Sequence, residues 1–215
     1  MSKSKPAGGR DATVIAMLKR YQCPTPFHAV RTRFMGNIAS PVADASPMHT
    51  VKALWGIELP AFETMDAVNE LFNELVAGLW NRLTAHQNSR DPFKLLRFEV
   101  QSTREGLKAL GLVRLQELDG FVEGLFGANE QIDLPERAHV ALGVLQEIRA
   151  MLKGVVNVLE DDSKPAQPGD LKGLLHNLQK MTLIAETEIN QAILSCKRAR
   201  VQNLAQVPAS RPTLH

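Results

Sequence analysis

Aromatic residues make up only 5% of this chain, and of its 215 residues two are cysteine, Cys23 and Cys196. Few aromatics beside abundant Leu, Val and Ala argue against a β-sandwich and for packed helices. The two cysteines lie far apart and form no CxxC, which excludes a disulfide framework and a thiolate zinc site. Cys196 instead continues the apolar stripe of the last helix and reads as a buried thiol. No run of eighteen apolar residues exists, so no membrane-spanning helix is expected. The opening MSKSKPAGGR leads into charged and mixed positions rather than a secretory apolar core, and a cytoplasmic location follows as the expectation. The segment GNIAS lacks both the GxxxxGK[ST] spacing and a preceding strand. Ser40, Ser46 and Ser195 lack a nucleophile-elbow context, and Cys23 with His28 lacks a third partner. No catalytic residue is therefore assigned, no cofactor is expected, and the reading leans away from an enzyme.

Charge of one sign is short in the body and concentrated at the ends. Residues 1–40 carry seven Lys or Arg against Asp11 alone, and residues 197–215 carry four basic groups and no acid. The stretch between them holds fourteen basic and twenty-two acidic groups. Basic ends on an acidic body suit an anionic partner, contact with the body itself, or simple solvation. Interleaved aromatics, zinc-finger spacing and a dense recognition-helix cluster are all missing, so nucleic acid is not the expected partner.

What the chain does have is helical periodicity. Val68, Leu71, Phe72, Leu75, Val76, Leu79, Trp80 and Leu83 recur at steps of three and four, with Thr64 placed to cap the helix that carries them. Ser46 followed by Pro47 is a second helix start, running to Trp55 and Gly56. Ser102 with Glu105 has capping-box spacing before a leucine stripe through Leu125, and a bend or break is expected near Gly111. Asp133, Pro135 and Glu136 open a further helix to Leu159, and Asp170 caps the last one, to Cys196. Between Phe27 and Pro47 the expectation is one irregular helical turn followed by an ordered loop. PFKLLRFEV alternates like a strand but has no obvious mate, so it reads as loop or a helical turn.

The fold expected is all-α, a multi-helix bundle or orthogonal assembly with four long helical regions and a C-terminal helix hairpin. A flexible lead over 1–10, a single helical domain over 11–200 and a flexible basic tail over 201–215 complete the plan. The hairpin, 133–196, is a candidate subdomain. Its two continuous stripes leave apolar flanks, so a homodimer through these helices is the expected assembly, with Leu152 and Leu178 on the shared surface.

Three polar groupings are candidates for chemistry. His28, Arg31, Arg33 and Asn37 form the densest polar cluster outside the long helices, and two arginines suit a carboxylate or phosphate. Asp119 and Glu123, four apart, have the spacing to share a metal or to act as acid and base. Glu136 and His139 form an ExxH, the ligand spacing of di-metal bundles, although no second ExxH accompanies it and no metal is assigned.

Two stretches resemble the YecA-like helical proteins of bacteria, a family of poorly defined function. One is KALWGIELPAFETMDAVNELFNELVAGLWNRLTAH, with Trp55, Phe62 and Asn81 at the family's positions. The other is LQELDGFVEGLFGA, similar to the leucine-rich helix around Asp119, Gly120 and Phe121. Here the two stand in the reverse of the family's order, and the cysteine-rich zinc module of some members has no counterpart. The resemblance implies an all-helical fold and no mechanism. The function expected is that of a helical interaction or regulatory protein; the alternative is a small-ligand-binding or metal-dependent enzyme built on the Arg31/Arg33 segment or the Asp119/Glu123 edge.

Overall fold

A computed structural model describes residues 9–42, 45–56, 58–161, 163 and 167–206. Within them the chain is all-α, an assembly of seven helices with no strand. Helix α1 is Gly9–Arg20, α2 is Phe27–Ala39 and α3 is Pro47–Ala53. Helix α4 covers 65–86, α5 is Arg104–Phe126, α6 is Glu136–Glu160 and α7 is Pro168–Gln206. None of these helices is long and apolar enough to cross a membrane. One buried apolar cluster reaches from Val14 in α1 to Cys196 in α7. Helix α7 enters the segment expected to be tail by six residues; 1–8 and 207–215 lie outside the described residues.

Helix α2 corrects the expectation of an irregular turn and a loop. It is a regular helix whose residues 34–39 are all buried. It ends where Pro41 forces the preceding Ser40 out of helical geometry, to ψ 130°. Its partner is α5, and the two run parallel, since His28 meets Gln116 while Gly36 lies against Leu125. Glycines permit the approach. A Cβ on Gly36 would strike the Phe121 carbonyl and one on Gly124 the Arg33 carbonyl, while one on Gly120 would come within 2.7 Å of the Ala29 carbonyl. Helix α5 continues through four glycines without a break at Gly111, and two of the four, Gly120 and Gly124, are where α2 comes close. At Gly36, Gly120 and Gly124 the conformational cost of glycine is offset by backbone packing that no larger residue allows.

Helix α4 starts at the expected cap, Thr64 Oγ1 accepting from the Ala67 amide at 3.2 Å. It is not α-helical throughout. Met65–Phe72 is α, Asn73–Trp80 is π, Asn81–Leu83 is α again and Thr84–His86 is 3₁₀. Its apolar residues fall in two columns of strict four-residue step, the buried Leu71, Leu75, Leu79 and Leu83 beside the half-buried Val68, Phe72, Val76 and Trp80. In an α-helix a step of four overshoots one turn by about 40°, so three steps carry a column roughly 120° around the axis. The wider π turn holds both columns on the core.

Capping differs from expectation at two starts. Thr103, not Ser102, caps α5, its hydroxyl accepting from Gly106 N–H at 3.1 Å, so Glu105 falls a position short of a capping box. Pro135 precedes α6 as its cap residue, which leaves Asp133 outside the helix start. At α7, Asp170 lies in the first turn and accepts from the Gln167 amide at 3.3 Å. Helix α6 runs antiparallel to α5, with Asp119 opposite Arg149 and Gly111 against Val156. It also runs antiparallel to α7, forming the expected hairpin.

Candidate functional site

Residues 92–100 form an extended strap between α5 and α7 with no partner strand. Its alternation is that of a strand, and side chains supply what a neighbouring strand would have supplied. Asn190 brackets Phe93, Oδ1 accepting from its N–H at 2.8 Å and Nδ2 donating to its carbonyl at 2.9 Å. Leu95 N–H donates to Glu186 Oε1 at 2.9 Å, and Leu96 N–H to Glu117 Oε1 at 2.7 Å. Arg114 donates to the Leu96 carbonyl at 2.6 Å and to Thr182 Oγ1 at 3.1 Å, and it is ion-paired with Glu117. Glu117 is completely buried, and desolvation pushes its carboxyl above the usual range despite the attraction of Arg114. This network holds the strap; its polar groups are spoken for.

The four candidate residues of α2 do not converge. They divide between two sides of the helix. On the strap side, His28 meets Gln116 at 2.7 Å, and burial holds its imidazole below the ordinary value. Arg31 donates to the Lys94 carbonyl at 3.3 Å and lies 5.2 Å from the Phe93 ring centre. On the other side, Arg33 donates to the Ala53 carbonyl at 2.9 Å and pairs with Glu123. Asn37 accepts from the Trp80 indole at 3.0 Å.

The acidic candidates are equally divided. Asp119 is paired with Arg149 of α6 and Glu123 with Arg33 of α2, so each carboxylate has its own cation. Glu136 and His139 stand exposed in the first turn of α6. Among the described residues no three His, Cys, Asp or Glu side chains are grouped to hold a metal.

Two concave features bear on function. The first is a cavity of about 500 Å³ between α2, α3 and the C-terminal end of α5. Arg33, Asn37 and Ser40 line it from α2 and its end, His49 and Thr50 from α3, and Glu123 from α5. The second is an open groove of about 670 Å³ along the outer side of the hairpin, floored by Met151, Val155 and Val158 with Leu174, Met181 and Ile184. Its polar members are Asn177 and Lys180. His49 and Thr50 escaped the sequence reading because their only local signal is a helix start, which any surface helix shows. The groove was half visible, as stripes too wide for one core. These features define an all-α protein with a cavity of mixed polar and apolar lining and an apolar outer face. The chain matches no family model, no curated protein and no solved structure.

Proposed function

We propose that the protein is a cytoplasmic helical interaction protein that works through protein contacts, the first of them with a second copy of itself across the outer face of the hairpin. The observation that supports this is the double stripe on both hairpin helices. Leu145, Ile148, Leu152 and Leu159 of α6 face the core with Leu178, Ala185 and Ile189 of α7. A second set, Met151 and Val158 with Ile184, is about half exposed, although such residues favour burial. A helix with one apolar stripe needs one partner surface; these have two.

A second copy fits the dimensions. Helix α6, at 25 residues, is about 37 Å long, and two packed helices present a face roughly 20 Å wide. Two such faces in contact cover about the 1,000 Å² or more that a specific dimer needs, and a twofold axis lets one patch serve both copies. Leu152 and Leu178, expected on that surface, are instead buried within the subunit, one helical position away from the outer stripe. Charges placed there would unfold the chain rather than separate copies. Both cysteines are free thiols, which suits a reducing compartment.

Light scattering across a concentration series tests the reading. The expected result is a species of twice 23.7 kDa that Met151→Glu or Ile184→Glu converts to monomer with helicity intact. A single 23.7 kDa species persisting to about 100 µM overturns it.

A further inference from the structure

We propose that the cavity between α2, α3 and the end of α5 binds a small organic monocarboxylate, which Arg33 receives and for which Glu123 gives way. The cation is part of the wall: its side chain is 16% exposed, and its Nη1 is held by the Ala53 carbonyl at the end of α3. The anion now paired with it is of another kind, since the Glu123 side chain is 53% exposed and reaches across the mouth from α5. A half-exposed carboxylate turns into water at small cost, because an ion pair with one partner so well hydrated gains little over solvation. A guanidinium held in the wall offers a planar fork with the geometry a carboxylate accepts.

The surroundings add further donors. The indole N–H of Trp80 occupies Asn37 Oδ1, so the free end of that amide is its Nδ2. Ser40 adds a hydroxyl that accepts from the Val42 amide and keeps its own proton free, and His49 adds a ring nitrogen. An incoming carboxylate meets Arg33 and these donors, and it replaces Glu123 one charge for one. A doubly charged phosphate leaves an excess negative charge beside Glu123. The volume lies within the range of small-molecule sites, and Val42, Gly124 and Phe126 give a carbon skeleton its apolar wall.

The test is a titration of the full chain followed by amide NMR, with acetate, butyrate and benzoate as probes and inorganic phosphate as the doubly charged control. Saturable shifts at the Asn37 side-chain amide and at Gly124 and Gly127 are expected with butyrate or benzoate. Glu123→Gln should bind about tenfold more tightly, because Arg33 then has no competing carboxylate. Arg33→Gln should abolish the saturable shifts; if that variant fails to fold, the Glu123→Gln gain decides alone. The proposal is overturned if neither wild type nor Glu123→Gln shows saturation by about 50 mM, if Glu123→Gln gives no gain, if phosphate binds better than the carboxylates, or if the shifts map to the hairpin groove. The dimer reading is tested separately, and of these results only shifts in the hairpin groove would bear on it.

Discussion

Arg114 and Glu117 are the residues whose removal should be felt most. A buried ion pair deprived of one partner leaves an uncompensated charge, typically worth about 3–5 kcal/mol, so Glu117→Ala should lose stability on that scale in urea unfolding. Replacing both by apolar residues would restore most of that if the pair served only itself. Here Glu117 also accepts from the Leu96 amide and Arg114 donates to the Leu96 carbonyl. Arg114→Met with Glu117→Leu should therefore remain about 2 kcal/mol or more below wild type, because two strap backbone groups lose their partners. Full recovery in the double variant would show that the strap does not need them. The same buried carboxyl has a pH signature. Its folded-state value is raised by desolvation, so its contribution is fully present below the ordinary glutamate range and is lost as pH rises through the raised value. Urea stability measured from acid to neutral pH should show this decline in wild type relative to Glu117→Gln, and parallel profiles would refute it. None of this was legible beforehand. Arg114 sits in the leucine stripe like any neutralising surface cation, and only the strap, which follows α4 in the chain, gives it a buried task.

The elements differ in how openly their residues announce them. Thr64 and the Ser46–Pro47 start were readable because a cap acts within three residues of itself. Helix α2 was not, since Arg31, Arg33 and Asn37 interrupt its apolar pattern and its burial depends on glycines some 90 positions later. Glycines separate two kinds of position in a direct test. Gly124→Ala should destabilise strongly, by about 2 kcal/mol or more, because the added carbon meets the Arg33 backbone, which cannot move aside cheaply. Gly143→Ala has nothing within 4 Å and should stabilise by about 0.5–1 kcal/mol through helix propensity. Equal effects at the two sites, by thermal or urea unfolding, would contradict the packing of α2 on α5. The π stretch of α4 did leave a trace in the sequence, since two columns stepping strictly by four residues are longer than the α period. Within it, Leu75→Ala should cost roughly 2–5 kcal/mol, and a loss below about 0.5 kcal/mol would remove α4 from the core.

At the scale of the whole molecule, the hairpin shares its core with the rest. Leu145, Ile148 and Ile189 belong to the same buried cluster as Val14 and Phe34, and α7 reaches back to α2 where Arg200 donates to the Ile38 carbonyl at 2.6 Å. Far-UV and near-UV circular dichroism should therefore lose their signals in a single coincident thermal transition. Two transitions, with one set of helices surviving the other, would make the hairpin an independent unit. The broad division into long helices and a hairpin could be read from periodicity alone. The site was legible only in pieces: Arg33 and Asn37 stood out as polar residues of one segment and Glu123 as one of a carboxylate pair, but a cavity is a property of three elements at once, and nothing in the sequence joined them to each other or to His49 and Thr50.

The parallel pairing of α2 with α5 also bears on how the chain emerges during synthesis. Parallel neighbours cannot be joined by a short turn, so α2, with nine of its 13 residues destined for burial, must wait for a partner that ends at Phe126. At about 5–20 residues per second, the 87 positions between Ala39 and Phe126 take on the order of 4–17 s to appear. For that interval the nascent chain presents Val30, Phe34, Met35 and Ile38 to whatever is nearby. Chains stalled before residue 126 should therefore need a chaperone to stay soluble, which pelleting of stalled chains with and without added chaperone would check.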